Sequence, residues 1–200
     1  LKTNPNHFGS IFYLGTLFMQ TKRFDLAKPL LHKASQNIPN YAPAHSNLGG
    51  ALNELGEYQE AINCCQKAIQ IDPNYVDAYN NLGAAFKELG ELKKAMDYYQ
   101  KTIQIQPNHV EAYNNLGTVF RQLGKPQKAI GCYEKAIQIN PNYVVAYKNL
   151  GNILLVLERF NEAIKIYQQA LKLKTGDKFI SHMLSALHGN TTKTAPKEYV

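Results

Sequence analysis

The chain of 200 residues contains no tryptophan and only three cysteines. Two of these, Cys64 and Cys65, are neighbours in sequence, so a disulfide framework is excluded and a reducing, cytoplasmic compartment is expected. No stretch of roughly 18 apolar residues occurs, which excludes a membrane-spanning helix. The formal net charge is +7 but the sequence has no basic arm, so the charge permits binding to a polyanion without indicating it.

Motifs for catalysis and cofactor binding are also missing. The sequence has no G-x-S-x-G elbow, no phosphate-binding P-loop and no G-x-G-x-x-G fingerprint. Its six histidines show neither the H-E-x-x-H spacing nor another paired metal-ligand spacing. We therefore expect no catalytic residue, metal or cofactor in this chain.

The dominant feature of the sequence is a repeat with a period of 34 residues. Residues 76–109 and 110–143 are identical at 19 of 34 positions. Such a period is typical of repeat arrays, in which each unit packs on the next. The tripeptide Asn-Leu-Gly recurs at this step, starting at Asn47, Asn81, Asn115 and Asn149. Five units fit the sequence: 8–41, 42–75, 76–109, 110–143 and 144–177.

Each unit carries two apolar patterns of helical period. In 76–109 the first pattern stops at Gly90, where glycine supplies a left-handed cap, and the second stops at Pro107. The asparagine after each proline is expected to be the N-cap of the following helix. Glycine in mid-helix costs roughly 1 kcal/mol against alanine. Gly83 therefore indicates a close approach of the two helices, with Ala95 expected opposite it.

The order of residues in 76–109 resembles the tetratricopeptide repeat. The matching residues are Tyr79, Leu82, Gly83, Phe86, Gly90, Leu92, Ala95, Tyr99 and Pro107. The resemblance covers about residues 8–177 and implies an all-α fold, a right-handed α-solenoid superhelix of tetratricopeptide helical hairpins. It also implies that the first helices line a concave groove that binds peptides or partner proteins. Lys22 and Glu158 stand where the family has the turn glycine, and Pro126 occupies an aromatic position, so these turns should be less well capped.

The two ends of the sequence differ from the repeats. Residues 1–7 are expected to be the end of a truncated upstream repeat, residues 178–189 a C-terminal capping helix, and residues 190–200 a linker or tail. The stretch 182–200 resembles the junction in bacterial fusions of tetratricopeptide repeats with a methyltransferase. This second resemblance implies a bacterial source and a catalytic domain beyond Val200.

The groove-facing side of the first helices is predicted to bind the partner. An asparagine ladder, with one amide in each of four units, offers donors and acceptors that match a peptide backbone. It is similar to the ladder in the repeats of protein O-linked N-acetylglucosamine transferases, which implies peptide capture. A row of basic residues could pair with acidic partner side chains. The predicted peptide-binding residues are Asn47, Asn80, Asn81, Asn114, Asn115, Asn149, Asn152, Lys87, Arg121 and Lys148.

Two structural alternatives stay open for these residues. The asparagines could cap helices, bridge neighbouring helices or simply recur with the repeat, and the basic row could be a solvated face.

At the level of function, we expect a module that binds a protein or peptide partner. The alternative is the substrate-recruiting arm of a methyltransferase or glycosyltransferase. Mixed charge in the groove argues against RNA, and an exposed terminal repeat favours self-association.

Overall fold

The computed structural model describes residues 7–191, and their side chains as far as Leu187. Within these residues every regular element is an α-helix, which confirms the all-α fold class. None of these helices has the length and apolarity needed to cross a bilayer. The helices are α1 (Phe8–Gln20), α2 (Phe24–Asn37), α3 (Ala42–Glu54), α4 (Tyr58–Ile71), α5 (Val76–Glu88), α6 (Leu92–Ile105), α7 (Val110–Gln122), α8 (Pro126–Ile139), α9 (Val144–Val156), α10 (Phe160–Leu173) and α11 (Lys178–Thr191).

The chain forms two compact units, 1–107 and 108–200, called here the N-terminal and C-terminal units. The N-terminal unit contains α1 to α6, and the C-terminal unit contains α7 to α11. Within each unit every helix packs on the next one along the chain. The first helices of successive repeats also touch, in the pairs α1–α3, α3–α5 and α7–α9. The first helices of each unit therefore lie next to one another.

The turn inside each helical pair uses one residue in the left-handed conformation. Gly90 has a φ of +76°, as expected for a residue without a Cβ. Lys22 and Glu158 adopt the same conformation with a φ of +58° each. Non-glycine residues adopt this conformation at a cost, because their Cβ approaches the following carbonyl oxygen. These two turns therefore store backbone strain.

The prediction that asparagine caps the first helices is wrong. The N-cap of α5 is Tyr75, which makes no side-chain capping bond, and the N-cap of α7 is His109. The His109 ring accepts a 3.1 Å hydrogen bond from the backbone N–H of Ala112. Asn74 instead lies in a tight turn, where its N–H donates to Oδ1 of Asp72 at 2.9 Å.

The mid-helix glycine makes room for an aromatic ring. A Cβ on Gly83 would lie 2.6 Å from the Tyr99 ring of α6, so Tyr99 is the residue opposite it. This corrects the expectation that Ala95 takes that place, although Ala95 is also fully buried. A Cβ on Gly117 would likewise lie 2.7 Å from the Tyr133 ring. The cost of glycine in the helix is thus offset by the burial of a whole tyrosine.

Helix α11 packs on α10 and buries Ile180, Leu184 and Leu187. It spans Lys178–Thr191, whereas the capping helix was predicted to end at residue 189. Residues 192–200 of the predicted linker lie outside the described residues. The same holds for residues 1–6 of the predicted upstream repeat end.

Candidate peptide-binding faces

All ten predicted binding residues lie on first helices. We call the set in the N-terminal unit the N-terminal face and the set in the C-terminal unit the C-terminal face. The N-terminal face consists of Asn47 on α3 and of Asn80, Asn81 and Lys87 on α5. The C-terminal face consists of Asn114, Asn115 and Arg121 on α7, and of Lys148, Asn149 and Asn152 on α9.

The ladder amides of the N-terminal face bridge neighbouring first helices. Nδ2 of Asn47 donates a 3.1 Å hydrogen bond to Oγ1 of Thr16 on α1. Nδ2 of Asn81 donates to the backbone oxygen of Ser46 on α3, also at 3.1 Å. These bonds agree with the bridging alternative of the sequence analysis. They fix both side chains while leaving each Oδ1 without a hydrogen bond among the described residues.

Two further amide oxygens of this region are buried without a donor. Nδ2 of Asn53 on α3 donates a 2.8 Å hydrogen bond to the backbone oxygen of Asn81. Oδ1 of Asn53 and Oδ1 of Asn80 are inaccessible to solvent and accept no hydrogen bond in the described structure. A buried acceptor without a donor costs roughly 1–3 kcal/mol. Because these two oxygens are inaccessible, they are closed to a ligand. The oxygens of Asn47 and Asn81 are the ladder acceptors that remain on the N-terminal face.

The C-terminal face uses more of its own hydrogen-bonding groups. Nδ2 of Asn149 on α9 donates a 2.8 Å hydrogen bond to Oδ1 of Asn114 on α7. Nδ2 of Asn114 donates to Oδ1 of Asn115 at 3.4 Å, and Asn114 is buried. Oδ1 of Asn152 accepts a 2.6 Å hydrogen bond from the Tyr167 hydroxyl. Asn114 and Asn152 are thus committed to internal contacts.

The predicted basic residues differ in whether their charge is compensated. Nζ of Lys87 lies 2.8 Å from Oε1 of Glu88, and Nζ of Lys148 lies 2.7 Å from Oδ2 of Asp177. Arg121 is exposed and forms no ion pair within the part of the chain that the structure describes. A positive charge without a paired carboxylate therefore stands at Arg121 on the C-terminal face.

Sequence reasoning missed the role of Asp177. It lies just before α11, where its Oδ1 accepts the backbone N–H of Ile180 at 3.3 Å. The hydrogen bond from Lys148 is the main cause that holds the pKa of Asp177 below its ordinary value. Lys148 also lies 5.4 Å from the centroid of the Phe179 ring. The Gly176–Asp177 pair was a usable signal, since glycine ends helices and aspartate starts them.

The cysteines are packing residues, with Cys65 buried and Cys64 and Cys132 half-buried. Burial raises the pKa of the Cys64 thiol to about 11, with a smaller contribution from Glu60, and also raises the pKa of Cys65. Burial likewise raises the pKa of Cys132 to about 11. The reactive thiolate form is therefore scarce at neutral pH. Among the described residues, no cluster of His, Cys, Asp and Glu has the make-up of a metal site.

Family models match much of the chain. The model described as tetratricopeptide repeat matches residues 76–109, 110–143 and 144–174, and one described as TPR repeat matches residues 49–90. The junction region 182–200 lies outside these matches. None of the curated protein sequences matches the chain.

Solved structures resemble the chain over most of its length. TTC0263, a thermophilic TPR protein of Thermus thermophilus, is 20% identical, with a TM-score of 0.80 over 91% of this chain and 99% of its own. MamA is 29% identical, with a TM-score of 0.66 over 80% of this chain and 94% of its own. YrrB, a TPR protein with an unusual peptide-binding site, is 20% identical, with a TM-score of 0.62 over 94% of each chain. A fold of this class supports protein–protein interaction and is typically a non-catalytic scaffold.

Proposed function

Because the chain belongs to the tetratricopeptide repeat family, we propose that its first-helix faces bind an extended segment of a partner protein. The partner's backbone N–H groups donate to the amide oxygens of the asparagine ladder. The N-terminal face is the principal site, because the amide nitrogens of Asn47 and Asn81 are held in place and their oxygens accept no hydrogen bond among the described residues.

The arrangement of the asparagine side chains is the observation that carries this proposal. In Asn47 and Asn81 the amide nitrogen is tied to the previous first helix, so the side chain is held before a ligand arrives. A ligand then loses less free energy in ordering the site. The matching chemistry is a row of N–H donors, and an extended peptide presents these at regular intervals along its backbone.

Backbone contacts make the ladder tolerant of partner sequence, and the charges add selectivity. Arg121 has no internal carboxylate partner among the described residues and favours an acidic side chain in the segment bound at the C-terminal face. The two faces are separate proposals, since they belong to different compact units. The alternative of a recruiting arm for a downstream enzyme needs the same binding chemistry.

A peptide-binding experiment tests this function. Peptides are selected from a displayed random library against the whole chain, and the affinity of one selected peptide is measured by calorimetry. In the variant with both Asn47→Ala and Asn81→Ala, we expect a loss of about 5- to 150-fold, from two hydrogen bonds of roughly 0.5–1.5 kcal/mol each. Asn161→Ala, at an exposed asparagine of α10, is the matched control and should leave the affinity unchanged.

A second measurement separates backbone capture from a loss of fold. N-methylation of single peptide bonds in the selected peptide removes one donor at a time and leaves the protein untouched. We expect the affinity to fall at alternating peptide positions. Binding that survives every N-methylation, or that falls equally with Asn161→Ala, would rule out capture by the ladder. Circular dichroism verifies that the double variant keeps its helicity.

A further inference from the structure

A cavity of about 360 Å³ opens between α2, α3 and α4 of the N-terminal unit. No residue of the N-terminal face lines it. Its apolar part is formed by Leu48, Leu52 and Cys64, and charged residues at its rim include Lys28, Glu57 and Glu60. We call it the α2–α4 cavity.

One repeat later, two aromatic rings occupy the positions of Leu52 and Cys64. Residues 34 positions after Leu52 and Cys64 are Phe86 and Tyr98, whose rings stack with centroids 5.3 Å apart. The same repeat also has a cavity, of about 500 Å³, which is lined by Gln66, Leu82 and Tyr98 at the positions equivalent to His32, Leu48 and Cys64, but not by Phe86. The α2–α4 cavity therefore differs in reaching Leu52, at the position that the Phe86 ring occupies one repeat later.

A lysine accompanies the aromatic ring in the third and fourth repeats. Nζ of Lys94 lies 5.0 Å from the centroid of Phe86, and Nζ of Lys128 lies 5.7 Å from that of Phe120. At the equivalent place in the second repeat, Glu60 replaces this lysine while Leu52 replaces the phenylalanine. The ring and its cation are thus lost together, and an acidic group takes the position of the basic one.

The fifth repeat supplies an internal comparison. It has a cavity of about 270 Å³ at the same place, with Leu154 and Glu162 in its lining. There Arg159 donates two hydrogen bonds of 2.7 Å to Glu162, and Lys165 stands on the same rim. The carboxylate of that cavity is therefore compensated.

The α2–α4 cavity differs in its charge balance. Lys28 is paired with Glu57, whereas the exposed Glu60 forms no ion pair within the described residues. An apolar floor with an uncompensated carboxylate at the rim is complementary to an apolar group that carries a positive charge.

We propose that the α2–α4 cavity binds an aromatic side chain of a partner protein that has a lysine or arginine beside it. The ring packs on Leu48 and Leu52, and the cation pairs with Glu60. The partner thereby restores the aromatic–cation contact that the third and fourth repeats make internally. This site is separate from the ladder, so it does not depend on backbone capture at the first-helix faces.

Nuclear magnetic resonance of the whole chain with three blocked tripeptides tests the proposal. The probes are acetyl-Lys-Phe-Lys-amide, acetyl-Glu-Phe-Glu-amide and acetyl-Lys-Ala-Lys-amide, followed through the methyl signals of Leu48 and Leu52. We expect the first probe to bind at least about fivefold more tightly than the other two, as one ring contact or one ion pair is lost in each. The methyl signals of Leu154, in the charge-compensated cavity, should respond less.

Two variants establish whether the cavity and its carboxylate are responsible. Leu52→Phe combined with Cys64→Tyr places the aromatic pair of the third repeat over the Leu52 side of the cavity and should strongly reduce the shifts of Leu48. Glu60→Lys leaves the cavity open and should remove the preference for lysine over glutamate in the probe. Glu162→Lys in the other cavity is the matched control. Equal affinity for the lysine and glutamate probes would overturn the proposal, and so would unchanged binding to the Leu52→Phe, Cys64→Tyr variant. The absence of any shift in the methyl signals of Leu48 and Leu52 would also overturn it.

Discussion

The hydroxyl of Tyr167 on α10 donates a 2.6 Å hydrogen bond to Oδ1 of Asn152 on α9. Tyr133 is the equivalent tyrosine of the previous repeat. Its hydroxyl lies 3.4 Å from the hydroxyl of Thr118, within hydrogen-bonding distance. One repeat earlier again, the hydroxyl of Tyr99 is buried and has no hydrogen-bond partner among the described residues, because Ala84 occupies the position of the partner. The same buried tyrosine is thus satisfied or orphaned by one residue on the facing helix.

Ala84→Thr should therefore stabilise the protein. The new hydroxyl gives Tyr99 a partner, which offsets an orphan cost of roughly 1–3 kcal/mol. Threonine is a poorer helix former than alanine by about 0.5 kcal/mol. We expect a net gain of about 0.5–2.5 kcal/mol in the free energy of unfolding, measured by chemical denaturation. Ala84→Val adds similar bulk without the hydroxyl, and a gain of equal size in that variant would contradict the explanation.

Glycine at the two strained turns should also be stabilising. Lys22 and Glu158 hold a left-handed conformation that costs a non-glycine residue roughly 1–2 kcal/mol. Glycine gives back part of this through the greater freedom of the unfolded chain. We expect Lys22→Gly and Glu158→Gly each to raise the free energy of unfolding by about 0.5–1 kcal/mol, measured by chemical denaturation. The reverse change, Gly90→Lys, should lower it, and a destabilised Lys22→Gly variant would show that the turn is unstrained.

The ion pair between Lys148 and Asp177 should make the docking of α11 sensitive to acid. Since the folded pKa of Asp177 lies below its ordinary value near 3.8, its stabilisation is complete above that value and disappears as pH falls through the folded pKa. Asp177→Asn should lower the melting temperature at neutral pH but not in strong acid. Thermal melts at several pH values measure this. Asp97→Asn, at an exposed site of α6, is the control. If Asp177→Asn lowers the melting temperature equally at every pH, the ion pair is not the cause.

Self-association through α1 stays a prediction, and the exposed side chains of that helix show how to test it. Tyr13, Leu14 and Leu17 are 73%, 44% and 51% exposed. Burying one leucine in a dimer contributes roughly 1–2 kcal/mol, so Leu17→Glu should raise the dissociation constant by about tenfold or more. Sedimentation equilibrium over a range of concentrations measures it. Leu173→Glu, at an exposed leucine of α10, should leave the dissociation constant unchanged. If both variants raise the dissociation constant equally, the dimer contact is not specific to α1.

The repeat pattern predicted the helices because both depend on local sequence. The apolar period and Gly90 set the limits of α5 and α6 without reference to the rest of the molecule. The N-caps could not be predicted in this way, since the turn at Asp72 places Tyr75, one residue after Asn74, at the N-cap of α5. The residue opposite Gly83 was also beyond sequence reasoning, because alanine and tyrosine of α6 both face inward and only packing decides which one meets the glycine.

Sequence by itself determined the period, the all-α class, the helix pairs and the helices that carry the predicted binding residues. These follow from local periodicity repeated at a fixed step. Only the tertiary structure decided which polar groups are available. Asn81 and Asn149 occupy the same repeat position, yet each amide bonds to whatever residue the neighbouring helix presents, Ser46 or Asn114. Lys148 and Arg121 are both basic, yet only Lys148 meets a carboxylate from outside its own helix. Whether a polar group is available to a ligand depends on contacts between side chains that are distant in sequence. A local sequence pattern does not determine these contacts.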